Sequence, residues 1–242
     1  MLRVTNPAEW AVFLDIDGTI VDIAATPEQV VVSAQLITTL KGLLTRFDGA
    51  VAIVTGRRVA DADQLLAPLQ LVSAGVHGTE LRRTYGGNVE MASPSIPAEL
   101  LDAAREQFQP YRGIMVEPKG SALAVHYRLA PQLQAKVERV LHGLIVSYDQ
   151  SLMVSRGRMV YEIVPKTHSK GTALEELLRS ATFAGRRPIM IGDDAPDVGA
   201  LTAAQRHDGL ALTVAGEYFS ATTASFRSSS QVREWLSQLA KT

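Results

Sequence analysis

The chain has 242 residues, 46% of them hydrophobic and 20% charged, a balance that supports a packed core and excludes a disordered chain. Its 24 Lys and Arg against 25 Asp and Glu leave a formal charge of −1, so no basic excess exists to neutralise a nucleic-acid backbone or an anionic membrane. The absence of cysteine excludes disulfides, thiolate nucleophiles and Cys-ligated zinc or iron–sulfur clusters, and any metal must sit on oxygen or histidine.

Apolar runs are short and broken by charges, and Met1 to Trp10 lacks a basic-then-apolar signal layout. The expectation is a soluble cytoplasmic protein with neither nucleic acid nor membrane as partner. In chain order, Ala11–Leu14 reads as a short strand buried on both faces, and Leu36, Leu40, Leu43, Leu44 and Phe47 recur at helical spacing before Asp48-Gly49. Val51–Val54 is a second buried strand. From about Leu81 to Val164 the pattern changes. Pro97, just inside its start, leads a helix through Leu100, Leu101, Ala104 and Phe108, Ser121–Arg128 alternates as an antiparallel strand, and Pro131, likewise just inside, leads a helix through Leu133, Val137, Val140 and Leu141. Leu152–Val164 alternates again, with Arg156-Gly157 as its hairpin turn. After Pro165 the first pattern resumes: a helix through Leu174, Leu177 and Leu178, strands at Ile189–Ile191 and Leu210–Val214, and a last helix through Val232, Trp235, Leu236 and Leu239. Strand–helix alternation of this kind predicts an α/β fold with an open parallel sheet. Residues 1–80 and 165–242 would form that core, and residues 81–164 a small α+β domain inserted into it.

Polar residues follow the predicted parallel strands, at the edge where open α/β sheets place their ligands. Asp15-Ile-Asp17-Gly-Thr19 follows the first strand, and residues two apart on an extended chain face the same way, so Asp15 and Asp17 can converge. Taken alone, Asp-Gly-Thr is also ordinary turn chemistry. Thr55-Gly-Arg57 follows the second strand and offers a hydroxyl and N–H groups to an anionic oxygen. Lys170 opens a helix before Gly171, and Gly192-Asp193-Asp194 with Asp197 follows Ile189–Ile191. Carboxylates, a hydroxyl, an ammonium and a glycine turn make a workable set for phosphoryl transfer with an oxygen-loving divalent metal such as Mg2+.

In this order the four motifs resemble those of the haloacid dehalogenase superfamily of aspartate-nucleophile phosphatases. A finer resemblance, to trehalose-6-phosphate phosphatases, rests on Leu14–Ile20, Ile53–Arg57, Gly75-Val-His-Gly-Thr-Glu80, Ala122–Arg128 and Gly192–Asp194. It implies a Rossmann-like core with an inserted α/β cap. It also implies Asp15 as nucleophile, Asp17 as acid and then base, and Mg2+ on Asp15, the Asp17 carbonyl and Asp193. Thr55 and Lys170 would hold the phosphoryl oxygens. For the sugar, the resemblance points to Glu117, Lys119, Ser121 and Glu162. Glu117, Lys119 and Ser121 alternate, so an extended segment would present them on one face, although alternation is equally the mark of a solvated strand face. His77, beside a glycine turn, would meet substrate or serve as a structural hydrogen-bonding group. Arg57 is counted among the substrate-binding residues, with a role steadying the acidic loops in preference to direct catalysis, and His126 reads as structural. One departure stands out: the family's usual Asp-Asp-x-Thr-Asp-Glu is Asp193-Asp-Ala-Pro-Asp-Val198 here. The expected reaction is Mg2+-dependent hydrolysis of trehalose 6-phosphate through an aspartyl-phosphate. The competing expectations are a phosphatase for sucrose 6-phosphate or a mannosyl phosphate, and a non-catalytic sugar-phosphate sensor. A monomer is expected.

Overall fold

The structure is a computed structural model that describes residues 4, 6–24, 29–148 and 151–241. It divides into two compact units, residues 1–90 with 169–242, and residues 91–168. The seam lies several residues beyond the change in sequence pattern because the chain after residue 80 first adds two more strands to the core sheet.

In the first unit β1 (Trp10–Leu14), β2 (Val51–Val54), β3 (Val72–Gly75), β4 (Glu80–Arg82), β5 (Glu90–Met91), β10 (Arg187–Gly192) and β11 (Leu210–Thr213) form one sheet, ordered β11-β10-β1-β2-β3-β4-β5. The pairs β1–β2, β2–β3, β1–β10 and β10–β11 are parallel, and β4 returns antiparallel to β3. Burial on both faces explains why β1 and β2 are continuous apolar runs: every residue of each is buried. From β1 the chain steps outward to β2 and β3, then crosses back to β10 on the other side of β1. That reversal is a topological switch point, and open α/β sheets place their ligands beyond the carboxyl ends of the strands at such points.

The helices of this unit are α1 (Ala34–Arg46), α2 (Val59–Leu65), α5 (Lys170–Leu178), α6 (Val198–Arg206) and α7 (Ser229–Leu239). Ser33, Ser169 and Ser228 cap α1, α5 and α7 by accepting the amides of Leu36, Thr172 and Gln231. Leu36, Leu40, Leu43, Leu174, Leu177, Val232 and Leu236 pack into the same core as the strands. The run Leu71–Gly75 and the segments of α2 and α6 lack a long apolar period, so the sequence pattern alone did not identify them. Among the described residues, no helix is long and apolar enough to cross a membrane.

The second unit has α3 (Ala98–Phe108), α4 (Gln134–Tyr148) and an antiparallel sheet ordered β6-β7-β9-β8, from β6 (Met115–Pro118), β7 (Leu123–His126), β8 (Leu152–Gly157) and β9 (Val160–Pro165). The alternation sorts the faces. Leu123, Val125, Tyr161 and Ile163 share a core with Leu100, Ala104, Phe108, Val137 and Leu141. The other face carries the register row Glu117, Ala124, Glu162 and Ser155. Two expectations shift. The hairpin turn falls on Arg158-Met159, not Arg156-Gly157, because the latter two still pair with Tyr161 and Val160; Met159 takes the positive φ the turn needs. Each proline precedes its helix: Pro97 is the N-cap of α3, and Pro131 opens a 3₁₀ turn ahead of α4.

Candidate active site

Asp15 leaves the end of β1, its amide bonded to the Ile191 carbonyl at 3.1 Å, between the carboxyl ends of β2 and β10. Those two neighbours bring Thr55 and Asp193 to the same edge. Lys170, the first residue of α5, reaches in with its Nζ 2.8 Å from Asp15 Oδ1 and 2.7 Å from Asp197 Oδ1. All four side chains, and that of Thr55, are buried. A buried ammonium between two carboxylates is stabilised only by such pairing.

Glycines create the room. A Cβ on Gly18, whose φ is +81°, would fall 2.1 Å from Asp193 Oδ2, and one on Gly192 would fall 2.4 Å from Asp197 Cγ. Where α5 and α6 begin, a Cβ on Gly171 would stand 2.8 Å from the Gly199 carbonyl. Close approach of these two helix starts is what sets Lys170 beside Asp197.

Asp197 is the residue that sequence reasoning left without a role. It is fully buried: Oδ1 accepts from Lys170, while Oδ2 accepts the amides of Asp193 and Asp194, both at 3.0 Å. It therefore orients the loop and the lysine, with no oxygen left over. Its spacing from Asp193 was the available signal. Thr19 likewise donates to Asp193 Oδ1 at 3.1 Å.

The electrostatics follow from burial. Desolvation, then the nearby Asp197 charge, raise the Asp15 carboxyl well above its ordinary value despite Lys170. Desolvation and Asp197 push Asp193 up to about 7. Burial by itself would lower Lys170, but Asp15 and Asp197 outweigh it and hold the ammonium above the ordinary lysine range. Asp15, Asp193 and Asp197 offer carboxylate oxygens within 4.8 Å of one another. An excess of buried carboxylate, all of it oxygen donors, fits a hard divalent cation, which would relieve the repulsion that raises Asp15 and Asp193. Of the three, Asp197 already accepts hydrogen bonds on both oxygens.

Around this cluster the turn after β2 supplies two more expected residues. Thr55 Oγ1 accepts the Arg57 amide at 3.2 Å, and Arg57 grips Asp17 with Nε and a terminal nitrogen, both at 2.7 Å. The two bonds tie the Asp17 carboxylate to the turn after β2. His77 is buried, its backbone at φ 56° and its ring 3.0 Å from where a Cβ on Gly56 would lie, so it packs against the Thr55–Arg57 turn.

In the second unit Lys119 Nζ lies 2.9 Å from Glu162 Oε1 and 3.8 Å from Glu117 Oε2, and His126 Nε2 meets Glu117 Oε2 at 2.7 Å. Ala124 lies between the two glutamates in register, and it, Lys119 and Glu162 are all buried. Burial would raise Glu117, but His126 and Lys119 bring it below its ordinary value. Ser121 does not continue the alternation of Glu117 and Lys119. The extended segment ends at Pro118, Gly120 takes φ +71°, and the Lys119 amide closes a turn on the Ala122 carbonyl. Ser121 is buried past that turn.

A family model described as trehalose-phosphatase matches residues 13–236. A probable trehalose-phosphate phosphatase of Sinorhizobium fredii is 39% identical over 215 residues, covering 87% of this chain and 79% of its own. The trehalose-6-phosphate phosphatase of Escherichia coli K12 is 33% identical over 208 residues, covering 86% and 78%. Among solved structures, the C-terminal domain of a Candida albicans trehalose-6-phosphate phosphatase superposes with a TM-score of 0.82 at 20% identity, over 96% of this chain and 92% of that domain, which shows the shared fold. That fold is the Rossmann-like α/β fold of haloacid dehalogenase phosphatases. By family model and by sequence identity, this chain belongs to the trehalose-phosphatase family.

Proposed function

We propose that this chain is a Mg2+-dependent phosphatase that hydrolyses trehalose 6-phosphate to trehalose and phosphate through an aspartyl-phosphate on Asp15. The observation that carries the reading is the pairing of Asp15 with Lys170 at the switch-point edge of the sheet, 2.8 Å apart and beside Asp193. A buried carboxylate held by a fixed ammonium is oriented for attack, and that ammonium can then hold a phosphoryl oxygen. The Thr55 hydroxyl would donate to another.

In the first step an Asp15 oxygen forms a bond to phosphorus, the bond from phosphorus to the sugar oxygen breaks, and Asp17 delivers a proton to that oxygen. In the second, Asp17 takes a proton from water as the water oxygen attacks phosphorus, which frees Asp15 and releases phosphate. Arg57 occupies both Asp17 oxygens, so donation requires Asp17 to give up at least one of these bonds. Asp15, Asp193 and the Asp17 carbonyl would hold Mg2+, which supplies charge neutralisation for the transferring group. Glu117, Lys119 and Glu162 suit a sugar, because paired charges on a sheet face offer donors and acceptors together, and His126 holds Glu117 in place. We also propose Ser121, His77 and Arg57 as substrate-binding residues, with a cytoplasmic monomer as the working form.

The test is phosphate release from trehalose 6-phosphate with and without Mg2+, beside sucrose 6-phosphate, glucose 6-phosphate and an aryl phosphate. A Mg2+-dependent preference for trehalose 6-phosphate is the expected result. Turnover of another sugar phosphate in its place would discard the substrate, and binding without release from any of them would discard the enzyme. Glu117→Ala or Glu162→Ala should then impair trehalose 6-phosphate far more than the aryl phosphate, since sugar contacts spend their binding energy on the sugar.

A further inference from the structure

Glu80 is a buried carboxylate that the reaction above does not use. It lies at the start of β4, in register with Gly75 at the end of β3. Its Oε2 accepts the amide of Val59, the first residue of α2, at 2.6 Å, and its Oε1 lies 3.5 Å from Arg58 Nε. The N-cap position of α2 is Arg58, whose side chain caps nothing. A carboxylate from a neighbouring strand therefore does the work that Ser33 and Ser169 do for their own helices, on a helix of only seven residues that would be marginal by itself.

What Glu80 fixes is the turn just before α2. The same turn is bonded to the end of β3, with the Val76 amide on the Arg57 carbonyl at 2.9 Å and the His77 amide on the Thr55 carbonyl at 3.1 Å. Gly75 lets it close, since a Cβ there would lie 2.8 Å from the Val59 amide nitrogen and 2.9 Å from the Arg57 carbonyl. The turn carries Thr55 and Arg57, and Arg57 grips both Asp17 oxygens.

We propose that Glu80 is a positioning residue for phosphoryl transfer: by capping α2 it fixes the Thr55–Arg58 turn, and through Arg57 it sets the orientation of Asp17. This rests on the reading of Asp17 as the acid and base of the reaction. The path is physical and short: a carboxylate on an amide, one turn of chain, and a planar guanidinium whose two parallel bonds leave a carboxylate little freedom.

The experiment uses the full chain with Mg2+, trehalose 6-phosphate and an aryl phosphate. Turnover is read well below each variant's unfolding temperature, which is measured separately. Glu80→Ala should lower kcat tenfold or more on both substrates, because the defect lies in the chemistry common to them. Glu80→Gln, which keeps an acceptor oxygen for the Val59 amide, should stay within about threefold of wild type, because the buried donor is not left unsatisfied. In an Arg57→Ala background, adding Glu80→Ala should cost less than twofold, since its route is already cut. Full additivity with Arg57→Ala, or wild-type kcat in a Glu80→Ala protein with merely a lower unfolding temperature, would overturn the proposal. Should Glu80→Ala not fold, Glu80→Asp, too short to reach the Val59 amide, replaces it in the same comparison. Loss of activity in Asp17→Asn together with wild-type turnover in Glu80→Ala rejects the role of Glu80 alone. Wild-type turnover in Asp17→Asn rejects the reaction scheme itself.

Discussion

Lys170→Met tests whether the buried charge cluster is balanced as its geometry implies. The substitution keeps an unbranched apolar stem but removes the ammonium from between Asp15 and Asp197, at contacts of 2.8 and 2.7 Å. Breaking a buried pair from one side ordinarily costs about 3–5 kcal/mol, because the remaining charge stays buried and unpaired. Proton uptake sets a ceiling here, since one additional proton on the carboxylates restores the lost positive charge. Holding a carboxyl of ordinary pKa 3.8 protonated costs about 1.4 kcal/mol per pH unit above that value. The limit is thus about 4 kcal/mol at pH 7 and about 2 kcal/mol at pH 5.5 on the same relation. The sign follows: the folded variant binds more protons than its unfolded chain across this window, so its stability falls as pH rises. Urea denaturation of both proteins in a chelator at the two pH values measures it. A deficit below about 1 kcal/mol at pH 7, under the range for buried pairs, or a deficit equal at both pH values would refute the argument.

Further outcomes follow from the same geometry. Asp15→Asn should abolish phosphate release while leaving the metal-free fold as stable as wild type or more so, because burial and Asp197 already disfavour the Asp15 charge; turnover and thermal denaturation check the two halves. Gly18→Ala should cost about 1–2 kcal/mol for the left-handed backbone yet weaken Mg2+ binding at least tenfold, because its methyl group must displace the Asp193 carboxylate, as titration calorimetry would show. For the wild-type protein without metal, Asp193 at about 7 means that the folded state binds the extra proton between its unfolded and folded pKa values. Stability of the metal-free protein should therefore fall as pH rises from about 4 to 7, while Mg2+ affinity climbs over the same span, as paired denaturation and binding curves would record.

Much of this was legible in the linear chain because the signals are local. An apolar run buried on both faces reads the same in sequence and in structure, so β1, β2 and β10 and the polar residues at their ends could be placed from pattern alone. Motif spacing carried Asp15, Thr55, Lys170 and Asp193 to one edge, and alternation separated the second unit's core face from its polar one. Short elements without an apolar period, α2, β3 and α6, were not legible, since tertiary packing sustains them more than propensity does. Ser121 was misplaced because a turn at Gly120 interrupts the strand, and periodicity does not see a positive φ. Only the tertiary structure decided the roles that depend on who fills whose valences. Asp197 is a clamp because its two oxygens are taken by Lys170 and two amides, and Glu80 is a helix cap because a neighbouring strand brings it to an amide 21 residues back along the chain. A sequence names the donors and acceptors, but hydrogen bonds and buried charges are satisfied in space, among residues that chain order keeps far apart.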